Sequence, residues 1–100
     1  MKAVMLRGPN DVRLEEVPVP KIGSGEILVK MVACGICGTD LEKLQGHWVT
    51  PPVLGHEVVG EIAKIGGNVQ SLKVGDRVFV HHHVPDYNCH YCRNGDYTLC

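Results

Sequence analysis

The sequence predicts a mainly β domain, a partly open β-barrel carrying one short helix and a metal-binding lobe. Three observations lead there. Strand-length runs rich in Val, Ile and Leu are separated at short intervals by Gly and Pro. Only one segment, beginning at Thr39, has the start and stop signals of a helix. Five Cys and six His stand in 100 residues, many of them near the end of the chain, which is a usage that asks for a metal before it asks for disulfides.

The elements follow in order. Lys2 to Leu6 reads as a first strand, stopped by Gly8-Pro9-Asn10-Asp11, where each residue favours a turn for its own reason. Val12 to Val17 alternates weakly and is a second strand. Pro18-Val19-Pro20 then imposes an extended linker, because proline pushes its predecessor out of the helical region. After the break at Gly23-Ser24-Gly25, Glu26 to Cys34 is the longest strand candidate. Ile27, Val29, Met31 and Ala33 lie on one face, with Leu28, Lys30 and Val32 on the other. Thr39-Asp40-Leu41-Glu42 matches a capping box, with Thr39 as the cap and Gly46 at the far end. So short a helix needs packing to persist. Glu57 to Ile65 and Arg77 to His82 complete the strands, the last entered through Val74-Gly75-Asp76. With one Trp, three Tyr and one Phe, the core must rest on aliphatic side chains.

Composition narrows the class. Apolar residues make up 44% and charged residues 21%, with a formal charge of −1, so nothing electrostatic draws the chain to nucleic acid or an anionic membrane. Ala3 to Leu6 is the only apolar run near the start, and Arg7-Gly8-Pro9 ends it. A secretory signal needs ~7–15 apolar residues and a spanning helix ~20, so a cytoplasmic location with reduced thiols is expected. One hundred residues make one domain. They cannot hold both a dinucleotide-binding βαβ sheet and a substrate domain, and no Gly-x-Gly-x-x-Gly occurs.

The chemistry-bearing residues form two groups. Cys89-His90-Tyr91-Cys92 is a knuckle whose two thiolates can bite one ion, and Gly95 lets the chain turn back toward Cys100. Asp86 gives the spacing Asp86-x2-Cys89-x2-Cys92-x7-Cys100. A carboxylate oxygen is a legitimate zinc ligand; His90 and the run His81-His82-His83 compete for the fourth place, and three free thiols in a loop is the plain alternative. Neighbouring residues on a strand point to opposite faces, so at most two of the three histidines can converge. A closed site of this kind is structural, and in small zinc modules such binding is worth about 10–16 kcal/mol. The second group is dispersed: Cys34-Gly35-Ile36-Cys37-Gly38-Thr39-Asp40 precedes the helix, and Gly55-His56-Glu57 opens a strand. By themselves Cys34 and Cys37 are open to two further readings, a redox pair at a helix N-terminus or half of a four-Cys ribbon with Cys89 and Cys92.

Taken together, these segments resemble the zinc-containing medium-chain alcohol dehydrogenases. Gly55-His56-Glu57-Val58-Val59-Gly60, with Gly66 and Val69 at the expected offsets, is similar to the zinc signature of that family, and Gly35-Ile36-Cys37-Gly38-Thr39-Asp40 to the segment bearing its first catalytic zinc ligand. Pro18-Val19-Pro20, Gly25-Glu26-Ile27-Leu28-Val29-Lys30 and Val74-Gly75-Asp76-Arg77-Val78 extend the likeness over nearly the whole chain. The resemblance implies the N-terminal part of a catalytic domain, residues 1–100, whose barrel is GroES-like, with the Rossmann cofactor domain outside it.

Carried over by position, the resemblance implies catalytic zinc on Cys37 and His56, with Glu57 as a neighbouring carboxylate or occasional ligand and a third ligand from later sequence. It implies a second, structural zinc on Asp86, Cys89, Cys92 and Cys100, where Asp86 replaces a Cys. Asp40 would hydrogen-bond His56 and fix its tautomer. Thr39 would pass the alcohol proton outward while also capping the helix; Glu42 stands where the family often has the receiving His. His47 and Trp48 would line the substrate cleft or a surface loop. The implied activity is oxidation of a secondary alcohol or polyol by hydride transfer to NAD or NADP, by a homo-oligomeric parent enzyme. The 100-residue chain alone is expected to be inert. The competing reading is a stand-alone zinc-stabilised β-domain that binds a partner without catalysis.

Overall fold

The computed structural model describes residues 1–46 and 52–100. Its elements are β1 (Lys2–Gly8), β2 (Asp11–Glu16), β3 (Ile27–Gly35), α1 (Gly38–Leu44), β4 (Glu57–Ile65), β5 (Arg77–Val80), a one-turn α2 (His90–Arg93) and a 3-10 turn at Tyr97–Leu99. The fold is mainly β, as expected, and open at the edges. β1 and β2 form an antiparallel ribbon, and β3, β4 and β5 form an antiparallel sheet with β4 in the middle.

The turn signals act as read. At the Pro9-Asn10 corner Asn10 takes a left-handed conformation, φ 57°, which its short polar side chain tolerates. The Asn10 N–H donates to the Leu44 carbonyl at 2.7 Å, tying the ribbon to the end of α1. The ribbon is fastened a second time by Leu6 N–H to Pro52 O at 2.7 Å and Leu54 N–H to Val4 O at 2.9 Å. These bonds deliver the chain to Gly55 and the start of β4.

β3 and β4 carry two irregularities that cancel. Ile27 faces Ile65 and Leu28 faces Lys64; the register then shifts by one so that Val29 faces Ile62, and shifts back where Met31 faces Gly60 and Ala33 faces Val59. At the far end Cys34 faces Val58 and Gly35 faces Glu57. Among the described residues the core is small: Ile62 (1% exposed), Met5, Ala3 and Cys92 are its buried apolar members. Ile36, Phe79 and Val84 remain exposed.

Two expectations need correction. The helix cap is Cys37, not Thr39: α1 begins two residues before the Thr39 reading requires. The Asp40 carboxylate accepts the Cys37 N–H at 3.0 Å and the Asp40 N–H donates to the Cys37 carbonyl at 3.0 Å. Gly38 at the first helical position hid this start, and an aspartate three residues beyond the cap satisfies the same orphan donors. The last strand ends at Val80 instead of His82. Strand alternation therefore does not govern His81–His83, and the His81 and His82 rings stack face to face, 5.2 Å apart and 16° from parallel.

Two candidate metal centres

The first centre is built from the ends of three elements. β3 runs into the cap residue Cys37, α1 follows, and the tight segment before β4 brings back Gly55, His56 and Glu57. A donor atom from each of Cys37, His56 and Glu57 lies within 4.8 Å of the others. Two glycines make that approach possible. A side chain at Gly35 would collide with the Glu57 carboxylate across the ladder. Gly55 has φ 101°, and a Cβ there would stand 2.8 Å from the Cys34 sulfur, so both conformation and space demand glycine.

Asp40 is a buried charged residue of α1, 7% exposed. Its Oδ2 is used by the helix cap, while Oδ1 stands 3.4 Å from His56 Nδ1 and 4.0 Å from Lys43 Nζ. The His56–Asp40 pair is at ion-pair distance but off the line of a hydrogen bond, so both buried atoms lack a hydrogen-bond partner. On the other side of the ring, Thr39 Oγ1 lies 3.4 Å from His56 Nε2. The donor set fits zinc. A thiol, an imidazole whose Nε2 is turned toward an exposed hydroxyl, and a carboxylate are all accepted zinc ligands, and a carboxylate facing the other ring nitrogen is the usual support of a metal-bound histidine.

One contact here was missed from sequence. The His82 ring lies edge-on to His56, with centroids 5.4 Å apart. Pairing of Val58 with Val80 brings the segment after β5 beside the segment before β4. Register of this kind leaves no mark in the sequence.

The second centre is local. Donor atoms of Asp86, Cys89, Cys92 and Cys100 all lie within 4.8 Å of one another. The Asp86 Oδ1 accepts two backbone N–H groups, from Asn88 at 2.8 Å and Cys89 at 2.9 Å. The Asp86 N–H donates to the Cys100 sulfur at 3.3 Å. Those backbone donors, that of Cys89 foremost, hold the Asp86 carboxyl down at about 2. Burial pushes the Cys92 thiol up to about 12, while the backbone N–H of Cys92 lowers the Cys89 thiol. Three thiols and a carboxylate converging on one point also fit zinc.

The other fourth-ligand candidates lie elsewhere. His90 Nε2 is 3.2 Å from the Asn94 amide, and His81 Nδ1 is 2.9 Å from the His83 carbonyl. Among the described residues, Cys34 and Cys37 join no cluster with Cys89 and Cys92. β3 and β4 are antiparallel, so the βαβ setting of a redox pair is absent there. An open cleft of about 470 Å³ bounded by His81, His83, Pro85, Tyr87, Tyr97 and Thr98 adjoins the second centre. His47 and Trp48 lie outside the described residues.

Comparisons with known proteins bear on the family and the fold. Residues 23–100 match the alcohol dehydrogenase GroES-like domain. The chain is 43% identical over 104 residues to a sorbitol dehydrogenase of Bombyx mori, spanning 98% of this chain and 30% of that protein. It is 43% identical over 107 residues to an L-threonine 3-dehydrogenase of Pyrococcus horikoshii, spanning 100% of this chain and 31% of that protein. Among solved structures, galactitol-1-phosphate dehydrogenase from Escherichia coli superposes with a TM-score of 0.92 at 33% identity, covering 100% of this chain and 30% of that one. The chain thus spans about 30% of the length of the relatives it matches.

Proposed function

The chain belongs to the alcohol dehydrogenase GroES-like domain family, and on that footing we propose that it is the metal-holding part of a zinc-dependent dehydrogenase that oxidises a secondary alcohol or polyol, with NAD or NADP as hydride acceptor. The observation that carries this reading is the meeting of Cys37, His56 and Glu57, drawn from a helix cap and a strand start, around one point. Zinc bound there supplies Lewis acidity toward the alcohol oxygen, and the nicotinamide supplies the redox chemistry.

The chain's own residues do the rest. Cys37 and His56 hold the ion. The Asp40 carboxylate, facing Nδ1 at 3.4 Å, favours a ring proton on that nitrogen by its charge and leaves the Nε2 lone pair for the ion. Thr39 places a hydroxyl beside Nε2, where it can accept the alcohol proton and hand it outward past Glu42. The Glu57 carboxylate completes the negative side of the site. Asp86, Cys89, Cys92 and Cys100 hold a second, structural zinc. The third ligand of the catalytic ion and the nicotinamide site belong to further sequence of the parent enzyme, so the 100-residue chain by itself takes up metal without turnover. The parent is proposed to be a cytoplasmic homo-oligomer acting on small molecules, not on nucleic acid or membranes; among the described residues no helix is long and apolar enough to cross a membrane.

The test is metal counting combined with polyol oxidation by the parent enzyme. Two zinc ions per chain and NAD(P)H formation from polyols are expected, with His56→Ala removing one zinc and the turnover together. One zinc per chain and no turnover would instead support a zinc-stabilised binding module.

A further inference from the structure

We propose that Asp86 divides its carboxylate between two tasks: one oxygen folds the knuckle turn by itself, and the remaining acceptor capacity is left for the ion, so the lobe keeps its shape without metal and loads and releases it without unfolding. The inference rests on the reading of the lobe as a metal site and goes beyond it, because a site held together by its ion would behave in the opposite way.

Six contacts organise the lobe, all of them made by the chain itself. Asp86 Oδ1 accepts the N–H groups of Asn88 and Cys89, at 2.8 and 2.9 Å, which closes the turn leading into the knuckle. The Asp86 N–H reaches the Cys100 sulfur at 3.3 Å and joins the two ends of the lobe. The Tyr87 and Tyr97 rings meet edge to face with centroids 5.8 Å apart. That contact clasps the Asp86 turn to the Tyr97–Leu99 turn that delivers Cys100. Gly95 and Asp96 donate backbone bonds to the carbonyls of Cys92, at 3.1 Å, and Tyr91, at 2.9 Å, which returns the chain from the knuckle. Tyr87 sits at φ 56°, a conformation that side chains seldom adopt, and the surrounding contacts hold it there.

The choice of aspartate follows from these contacts. A thiol is a weaker acceptor than a carboxylate that takes two N–H bonds and still faces the Cys89 and Cys92 thiols. Oxygen is also the harder donor, so three sulfurs and one oxygen grip zinc less firmly than four sulfurs. Both effects favour exchange of the ion over permanent burial.

The experiment uses the 100-residue chain, cobalt(II) as the metal probe and amide hydrogen exchange as the structural readout, with the β3–β4 ladder as reference. In the chelator-treated chain, the Asn88 and Cys89 amides are expected to stay protected at least about tenfold over unstructured peptide. Asp86→Asn keeps an acceptor oxygen but loses the charge, so protection should persist while cobalt affinity falls about 10–100-fold. Asp86→Cys should bind cobalt more tightly and lose protection once the ion is removed. Unprotected amides in the metal-free wild-type chain, wild-type cobalt affinity in Asp86→Asn, or full metal-free protection in Asp86→Cys would each overturn the inference. Absence of thiolate–cobalt absorption in the wild-type chain would overturn the lobe's reading as a metal site, a different failure.

Discussion

The two centres assemble their donors in opposite ways. Asp86, Cys89, Cys92 and Cys100 come from one short stretch, and backbone bonds and a pair of tyrosines hold them together. Cys37, His56 and Glu57 come from the two sides of α1, and the β3–β4 ladder and two glycines bring them together. The local centre is self-contained, whereas the dispersed one depends on tertiary structure. A site that only holds an ion can be assembled by a loop; one that must present an ion to a substrate needs walls from several elements.

The comparison breaks most sharply at Cys92, the buried thiol of the local centre. Cys92→Ser should lower zinc affinity of the lobe on the order of a thousandfold, since serine is a poor ligand in a site built for thiolates. Isothermal titration should find the Cys37–His56 site unchanged; loss of both sites at once would mean that the two centres fold as one unit. Next comes Asp40. Asp40→Ala removes the carboxylate that both caps α1 and faces His56, so metal affinity at the dispersed centre should fall about 10–100-fold, with a loss of about 1 kcal/mol of stability from the missing cap. Chemical denaturation and metal competition separate the two effects, and a stability loss with unchanged affinity would make Asp40 a cap alone.

The smallest effect is in pH. The Asp86 carboxyl lies at about 2, below its ordinary value near 3.8. A depressed acid stabilises the folded state above the ordinary value, and that contribution fades as pH falls through the folded one. The tyrosine near-ultraviolet signal of the metal-free lobe should therefore weaken between about pH 4 and pH 2. In Asp86→Asn the same profile should be flat, and identical profiles would separate the turn from the carboxylate's charge.

The local centre was legible because its four donor residues are neighbours in sequence and their spacing carries the geometry. The strands were legible because Gly, Pro and Asn interrupt them where turns are needed. The dispersed centre was another matter. Periodicity gives no reason to bring His56 to Cys37, and only resemblance to a known family joined them. Where local signals competed, the reading erred: Thr39 and Glu42 match a capping box, but Cys37 and Asp40 form the actual one, because the helix begins at Gly38. The contact between His82 and His56 left no trace in the sequence, since it follows from which residue of β5 faces which residue of β4.

The two compensating irregularities between β3 and β4 have a consequence for how this protein can change over evolutionary time. Val32 is the extra residue on one strand and Ala63 on the other, and each offsets the other before the ladder reaches Gly35 and Glu57. Each is unpaired, so deleting either alone would straighten the ladder at that point and leave Gly35 opposite Glu57. A change of one residue at either position is therefore absorbed where it occurs, so these two strands can vary in length independently while the end of the ladder that carries Glu57 stays put.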